Sequence, residues 1–124
     1  MKAILRNYNQ PPRKVRLVAD VIRGKTVERA LAELSVLPKK STDAFAKLLR
    51  SAVANAKGSK NLSAENLFIK DVAVDKDMTL KRFRPAWRGT RHPIRRVRSR
   101  IAILLDEEKN RRARRKKKRA SAKK

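Results

Sequence analysis

The chain has 124 residues, of which 36 are Lys or Arg and 11 are Asp or Glu, so its formal net charge is +25. This length suits one domain with a modest core, and a charge of this size destabilises a compact state unless a polyanion such as nucleic acid supplies counter-charge. The longest purely apolar run, residues 101–105, is far too short to span a membrane, and the absence of cysteine excludes disulfides and thiolate metal sites.

The first predicted elements are a strand over residues 3–8 and a helix that begins at Pro11 and Pro12. A proline suits the first helical position because its missing N–H would have no partner there. Gly24 is expected to end this helix as a C-terminal cap. The apolar residues at helical spacing, which we expect in the core, are Val15, Val18, Ala19 and Ile22.

Two further helices are predicted on either side of Pro38, which should end the first of them. Thr26 is placed to cap that helix at its beginning. Ser41 can cap the next helix, which is the longest, and Gly58 is expected to close it. The apolar faces of the two helices comprise Val27, Ala30, Leu31 and Leu34, and Phe45, Leu48, Leu49, Ala52, Val53 and Ala56.

Two strands and a long hairpin between them complete the predicted fold. Residues 67–74 and 101–105 have the apolar character of buried strands, and a hairpin of about residues 76–100 is inserted between them. We therefore predict an α+β fold in which three helices pack on a small antiparallel sheet of about three strands, with a long protruding β-hairpin. This single domain is expected to span residues 1–108, and residues 109–124, which contain eleven basic residues and no acid, are expected to form a disordered basic tail.

The predicted hairpin is cationic on both faces. Residues 78–105 contain nine Lys or Arg residues and no acid, and alternation along a strand over residues 79–87 places charge on both sides. Such a hairpin cannot pack against its own protein without leaving charges unpaired, so we expect a polyanion to surround it. Arg outnumbers Lys eight to one there, and the planar guanidinium suits bidentate phosphate binding and stacking on bases.

Phe83 and Trp87 lie among these arginines, and two interpretations stay open for them. Exposed aromatic side chains among arginines suit stacking on unpaired bases. Alternatively, both rings pack across the hairpin on Ile94 and Val97. At the predicted tip, Gly89 suits the chain reversal because glycine adopts positive φ without strain.

The sequence favours neither an enzymatic function nor a metal site. The single histidine, His92, lies in a basic segment and has no local carboxylate that could orient it as a base. The spacing of Asp71, Asp75 and Asp77 does not match a calcium loop, and charge balance at the base of the hairpin is the simpler interpretation. Because a glycine-rich phosphate loop is also missing, we predict no catalysis, no cofactor and no small-molecule substrate.

Several segments resemble the ribosomal protein L-twenty-two family of the large subunit. The segment from Pro12 to Lys25 resembles the first-helix signature of that family, and residues 51–56 resemble its third helix. The resemblance runs from about Asn9 to Asp106. Its further positions, in the extended hairpin and the closing strand, are Val74, Asp75, Lys81, Arg82, Pro85, Gly89 and residues 101–105.

Departures from the family pattern concentrate in the predicted hairpin. The family usually has a basic residue where Ala86 and Thr90 stand, and a small residue where Trp87 stands. A Gly-Pro pair is frequent in the family at the base of the hairpin, where this chain has Asp77 and Met78.

The resemblance implies a structural, rRNA-binding protein of the large ribosomal subunit in the cytoplasm. The globular part is expected near the exit of the peptide tunnel, and the hairpin tip is expected to line the tunnel close to the loop of ribosomal protein L-four. The implied partners are large-subunit rRNA, neighbouring large-subunit proteins and the nascent polypeptide, with no membrane. The implied rRNA contacts are Arg13, Lys14, Arg16, Arg23, Lys25, Lys81, Arg82, Arg84, Arg95, Arg96, Arg98 and Arg100, and the implied tunnel-lining tip is Trp87, Arg88, Gly89, Thr90, Arg91 and His92.

A nucleoid or histone-like DNA-binding protein is the alternative that the residues alone leave open. Paired basic helices and a β-arm could hold a duplex through its minor groove. Competition between structured rRNA and duplex DNA distinguishes the two. Either function fits the expectation of an intracellular protein, since the N-terminus has no apolar signal segment and the chain has no cysteine.

Overall fold

The computed structural model describes residues 1–60 and 67–107, apart from the side chains of residues 59 and 60. Its elements are β1 (Lys2–Tyr8), α1 (Pro12–Ile22), α2 (Val27–Val36), α3 (Thr42–Lys60), β2 (Leu67–Pro85) and β3 (Arg91–Glu107). The predicted α+β class is confirmed, because three helices pack on a three-stranded antiparallel sheet whose strands β2 and β3 extend into a long hairpin. The predicted tail lies outside the described residues.

Helix α1 forms as its sequence predicts. It begins at Pro12, and the four residues expected in the core are all buried. Gly24 follows the helix with φ of +76°, and its N–H donates to the carbonyl of Ile69 at 3.0 Å. The N–H of Ile69 in turn donates to the carbonyl of Lys25 at 2.8 Å. These two bonds fix the turn after α1 to strand β2.

Two predicted helix termini are corrected by the structure. Thr26 precedes α2, but its side chain makes no capping hydrogen bond, and its main chain instead forms an isolated bridge with Phe68. Helix α3 does not end at Gly58 but continues to Lys60. A glycine inside a helix costs about 1 kcal/mol relative to alanine, which the packing of the long preceding stripe around Leu49 outweighs. The prediction that α2 ends before Pro38 is confirmed.

Strand β3 occupies the centre of the sheet, and β1 and β2 pair with it antiparallel on either side. Ala3 pairs with Ile103, which also pairs with Val72, and all three side chains are buried in the core that the helices cover. The largest fully buried side chains of this core are Ile22, Phe45, Leu49, Leu67, Ile69, Ile101, Ile103 and Leu105. Both apolar segments predicted as buried strands, residues 67–74 and 101–105, therefore line the core.

Beyond the pair of Tyr8 with Ser99, β1 ends and β2 and β3 continue alone as a two-stranded ribbon. We call residues 79–97 of this ribbon the arm. Its cross-strand pairs run from Thr79 with Val97 to Pro85 with Arg91. The arm is therefore a direct continuation of β2 and β3, the two strands that also line the core.

The tip of the arm is a short 3-10 turn over Trp87–Gly89. Gly89 has φ of +73° and Arg88 has φ of +52°, so the predicted use of Gly89 for the reversal is confirmed. The prediction that a strand continues to Trp87 is wrong, since β2 ends at Pro85. The carbonyl of Trp87 accepts hydrogen bonds from the N–H of Thr90 at 3.2 Å and from its hydroxyl at 2.7 Å, and these bonds close the turn.

Candidate nucleic-acid interface

The arm carries positive charge on both of its faces. One face contains the pairs Lys81–Arg95, Phe83–Pro93 and Pro85–Arg91, and the other contains Leu80–Arg96, Arg82–Ile94 and Arg84–His92. Residues 81–85 and 87–96 are all exposed. Like charges directly opposite each other, as at Lys81 and Arg95, destabilise a ribbon, so a surrounding polyanion would relieve repulsion within the arm.

The arm has no acidic residue of its own to neutralise this charge. Residues 78–105 contain no Asp or Glu. In the part of the chain that the structure describes, the ion pairs all belong to the globular part and its sheet, and they join Arg23 to Asp20 and Asp71, Lys25 and Arg29 to Glu33, and Lys70 to Asp106. The positive charge of the arm is thus available to an external anion.

Both aromatic side chains of the arm are exposed. Phe83 is 63% exposed and Trp87 is 70% exposed. The structure does not show these rings packed on Ile94 and Val97. Ile94 pairs with Arg82 on the opposite face from Phe83. Val97 pairs with Thr79, and the pair of Lys81 with Arg95 separates it from Phe83 on the same face. Arginines cover the rings instead. The guanidinium carbon of Arg88 lies 4.2 Å from the centre of the Trp87 ring, and that of Arg91 lies 5.1 Å from the centre of the Phe83 ring.

Two of the basic residues singled out on α1 and directly after it, Arg16 and Arg23, bind the globular part of their own chain. The guanidinium of Arg16 donates from Nε and Nη2 to the carbonyl of Val74 at 3.1 and 3.0 Å. The guanidinium of Arg23 donates to the carbonyl of Val72 at 2.9 Å and forms an ion pair with Asp20 at 3.1 Å. These contacts attach α1 to strand β2 and use donors that an anion could otherwise take.

Lys25 is likewise engaged within the protein. Its ammonium group forms a hydrogen-bonded ion pair with the carboxylate of Glu33 on α2, which Arg29 also approaches at 3.5 Å. The hydrogen bond from Lys25 lowers the pKa of the Glu33 carboxyl group, and the charges of Lys25 and Arg29 act in the same direction. By contrast, Arg13 and Lys14 in the first turn of α1 are exposed.

At the base of the arm, Arg98 contacts the end of β1. Its Nη1 donates to Oδ1 of Asn7 at 3.0 Å, and the N–H of Asn7 donates to the carboxylate of Asp77 at 2.6 Å. Sequence reasoning did not find this role for Asn7 and gave Asp77 only charge balance. The available signal was an asparagine at the end of a predicted strand, since Asn tolerates positive φ better than most residues. Arg100, next along β3, is exposed.

Two other kinds of site, a metal centre and a membrane-spanning helix, find no support in the part of the chain that the structure describes. Residues 1–60 and 67–107 contain no cluster of three or more His, Cys, Asp or Glu side chains that could hold a metal ion. Among the same residues, no helix has the length and apolar character needed to cross a membrane.

An α+β domain with an extended hairpin that carries basic residues on both faces defines a class of strongly basic proteins. Residues 3–106, which include the whole arm, match the family model described as ribosomal protein L22p/L17e. The chain therefore belongs to the L22p/L17e family of ribosomal proteins.

Curated relatives agree with this match over nearly their whole length. A protein named large ribosomal subunit protein uL22 from Herpetosiphon aurantiacus is 43% identical over 106 residues, which cover 86% of this chain and 94% of the relative. Proteins of the same name from Acholeplasma laidlawii and Syntrophobacter fumaroxidans are both 44% identical, covering 86% and 87% of this chain and 96% and 98% of theirs. The family resemblance found in the sequence is thus confirmed.

Proposed function

We propose that this protein is a structural constituent of the large ribosomal subunit in the cytoplasm, where it binds and organises large-subunit rRNA and has no enzymatic role. The observation that carries this proposal is the arm, which is exposed and cationic on both faces and lacks acids. Release of condensed counterions from phosphates would drive its association with RNA. RNA on both sides would neutralise the repulsion between paired basic residues.

The proposed rRNA contacts differ in how many of their donors are available. Those on the arm are Lys81, Arg82, Arg84, Arg95 and Arg96, and those on the globular part and the base of the arm are Arg13, Lys14, Arg16, Arg23, Lys25, Arg98 and Arg100. Arm residues make the stronger candidates because they are exposed on both faces of the arm, which contains no acidic residue. The intramolecular bonds of Arg16, Arg23 and Lys25 leave these residues a smaller share in RNA binding.

We further propose that the tip of the arm, Trp87 to His92, lines the peptide exit tunnel, with the globular part near the tunnel exit. The large-subunit protein L-four and the nascent polypeptide would be its neighbours there. Support comes from family membership and from the geometry of the tip, which presents an exposed tryptophan covered by Arg88 at the end of the arm. The proposed domain of residues 1–108 thus comprises a globular core and the arm, and the arm ends in the tip, Trp87 to His92.

Incorporation into subunits tests these roles. One variant replaces Arg82, Arg84, Arg95 and Arg96, which we call the shaft arginines, by glutamine. A second variant deletes residues 88–90 at the tip. A control variant replaces four exposed basic residues of the globular part, Lys39, Lys40, Lys47 and Arg50, by glutamine.

Each variant is tagged, expressed in cells and quantified by mass spectrometry in purified large subunits. We expect the shaft variant to be poorly incorporated, because its lost charges would face embedded phosphates. The tip deletion should be incorporated and should change how nascent chains pass the tunnel. Normal incorporation of the shaft variant together with loss of the tip deletion would reverse the proposed roles.

A further inference from the structure

The base of the arm is the level at which three strands become two, and both outer strands are irregular there. The register of β1 shifts between Leu5 and Tyr8, and that of β2 shifts between Lys76 and Thr79. Tyr8 and Lys76 both pair with Ser99 of the central strand, so the two shifts flank one residue of β3. Each shift adds a residue to an outer strand, and such β-bulges bend and twist the strand that contains them.

Three residues connect the strands at this level, one from each strand. The N–H of Asn7 on β1 donates to Oδ2 of Asp77 on β2 at 2.6 Å, although β3 lies between these strands in the sheet. Arg98 on β3 donates from Nη1 to Oδ1 of Asn7 at 3.0 Å and approaches the carbonyl of Asn7 at 3.5 Å. The main chain of Asn7 is in the left-handed region, with φ of +58°.

We propose that Asn7, Asp77 and Arg98 form a brace that fixes the direction in which the arm leaves the globular part. The two bulges give the sheet a bend at this level, and hydrogen bonds that involve ionised groups are the strong ones available to hold it. A two-stranded ribbon is only marginally stable in water by itself, and residues 81–96 of the arm are exposed apart from Ala86. The orientation of the arm therefore depends on its base.

The chemistry of Asn7 suits this role. Asparagine tolerates the left-handed conformation better than most residues because its short polar side chain forms local hydrogen bonds. That conformation turns the N–H of Asn7 toward Asp77 while its Oδ1 receives Arg98. Further support for the base comes from the buried hydroxyl of Ser99, which donates to the carbonyl of Gln10 in the segment between β1 and α1.

Arg98 thereby has a positioning role in addition to the rRNA contact proposed for it. If the proposed rRNA function holds, an arm with a fixed direction loses less conformational freedom on binding than a freely moving arm would, because its direction is already set in the free protein. The direction of the arm is a property of the isolated chain, whether or not that chain binds rRNA.

The absence of cysteine allows a direct measurement of arm direction in the full-length protein. Spin labels are attached through Lys47→Cys on α3 and His92→Cys near the tip, both at exposed positions. Pulsed electron paramagnetic resonance then gives the distribution of distances between the labels. The test substitution is Asp77→Ala, which removes the acceptor for Asn7, and the rescue substitution is Asp77→Asn, which retains an acceptor oxygen. The matched control is Asp75→Ala, an exposed carboxylate two residues earlier on the same strand.

We expect a narrow distribution for the parent, for Asp77→Asn and for Asp75→Ala. For Asp77→Ala we expect roughly a doubling of the width, because the acceptor of the hydrogen bond between the two outer strands is lost. Thermal unfolding and amide exchange of the core should stay unchanged, which separates positioning from general destabilisation. Equal widths for Asp77→Ala and Asp75→Ala would overturn the brace.

A second variant covers the case in which Asp77→Ala disturbs the core. Asn7→Gly keeps the positive φ and the N–H that Asp77 accepts, and it removes only the oxygen that Arg98 binds. A broadened distribution in this variant, with an intact core, supports the brace, and an unchanged distribution overturns it. Binding of every variant to large-subunit rRNA is measured in parallel. Complete absence of rRNA binding, with the broadening still observed, would count against the proposed function alone.

Discussion

At single positions, burial separates the side chains that hold the fold from those that form the charged surface. Leu49 of α3 has no exposed area, whereas Leu17 of α1 is 62% exposed. We expect Leu49→Ala to lower the free energy of unfolding by about 2–5 kcal/mol, since it removes transfer energy and leaves a cavity. Urea denaturation followed by circular dichroism measures this change. Leu17→Ala is the control and should stay within about 0.5 kcal/mol of the parent; a comparable loss in both would contradict the assigned core.

The ion pair between Lys25 and Glu33 predicts a pH dependence at the same scale. Since the pKa of Glu33 is lowered in the folded state, its contribution to stability is fully present above the ordinary value near 4.5 and is lost as the pH falls through the lowered pKa. We expect Lys25→Met, which removes both the donor and the charge, to return the pKa of Glu33 toward its ordinary value, as measured by NMR titration of that carboxyl group. Lys39→Met serves as the control. An unchanged pKa in Lys25→Met would exclude the contact with Lys25 as the cause.

At the scale of elements, the arm and the core should differ in local stability. Residues 101–105 of β3 lie against the buried core, whereas residues 81–96 have exposed side chains apart from Ala86. Backbone hydrogen bonds open most readily, and their amide hydrogens exchange fastest, where little buried apolar surface holds the paired strands together. In the isolated protein, hydrogen exchange should therefore be faster in the arm than in residues 67–74 and 101–105, although the same two strands carry both. Equal protection along β3 would contradict this division.

Sequence periodicity predicted the helices because their buried residues recur at a regular spacing. Val15, Val18 and Ile22 are all buried as their spacing requires. The errors arose where local signals compete with packing. Gly58 looks like a helix end by itself, but α3 passes through it, and Trp87 looks like a strand residue until the turn at the tip is seen.

The sequence predicts the candidate interface as far as two features determine it. These features are the alternation of side chains along the strands of the arm and the absence of acidic residues there. Both cationic faces of the arm follow from the sequence alone. The internal roles of Arg16 and Arg98 did not follow, because their acceptors, the carbonyl of Val74 and the side chain of Asn7, lie fifty-eight and ninety-one residues away along the chain. Contacts over such separations depend on tertiary structure and leave no local pattern.

For the whole molecule, the central feature is the separation of two kinds of surface. The globular part buries a core and pairs several of its charges, while the arm keeps its basic residues exposed and without acidic neighbours in the sequence. The core therefore supplies folding free energy, and under the proposed function rRNA neutralises the charge of the arm. The proposed role in rRNA organisation rests on this separation.

The most direct test of the account is the salt dependence of binding to large-subunit rRNA. For the parent, the logarithm of the binding constant should fall steeply and linearly with the logarithm of the salt concentration. Replacing the four shaft arginines by glutamine should reduce the magnitude of this slope by about 3–4, because each lost phosphate contact releases about one counterion fewer. The control with four charges removed from the globular part should retain most of the slope, and duplex DNA should compete poorly. A flat dependence for the parent, or equal slopes for the shaft and control variants, would contradict the claim that the arm is the RNA-binding element.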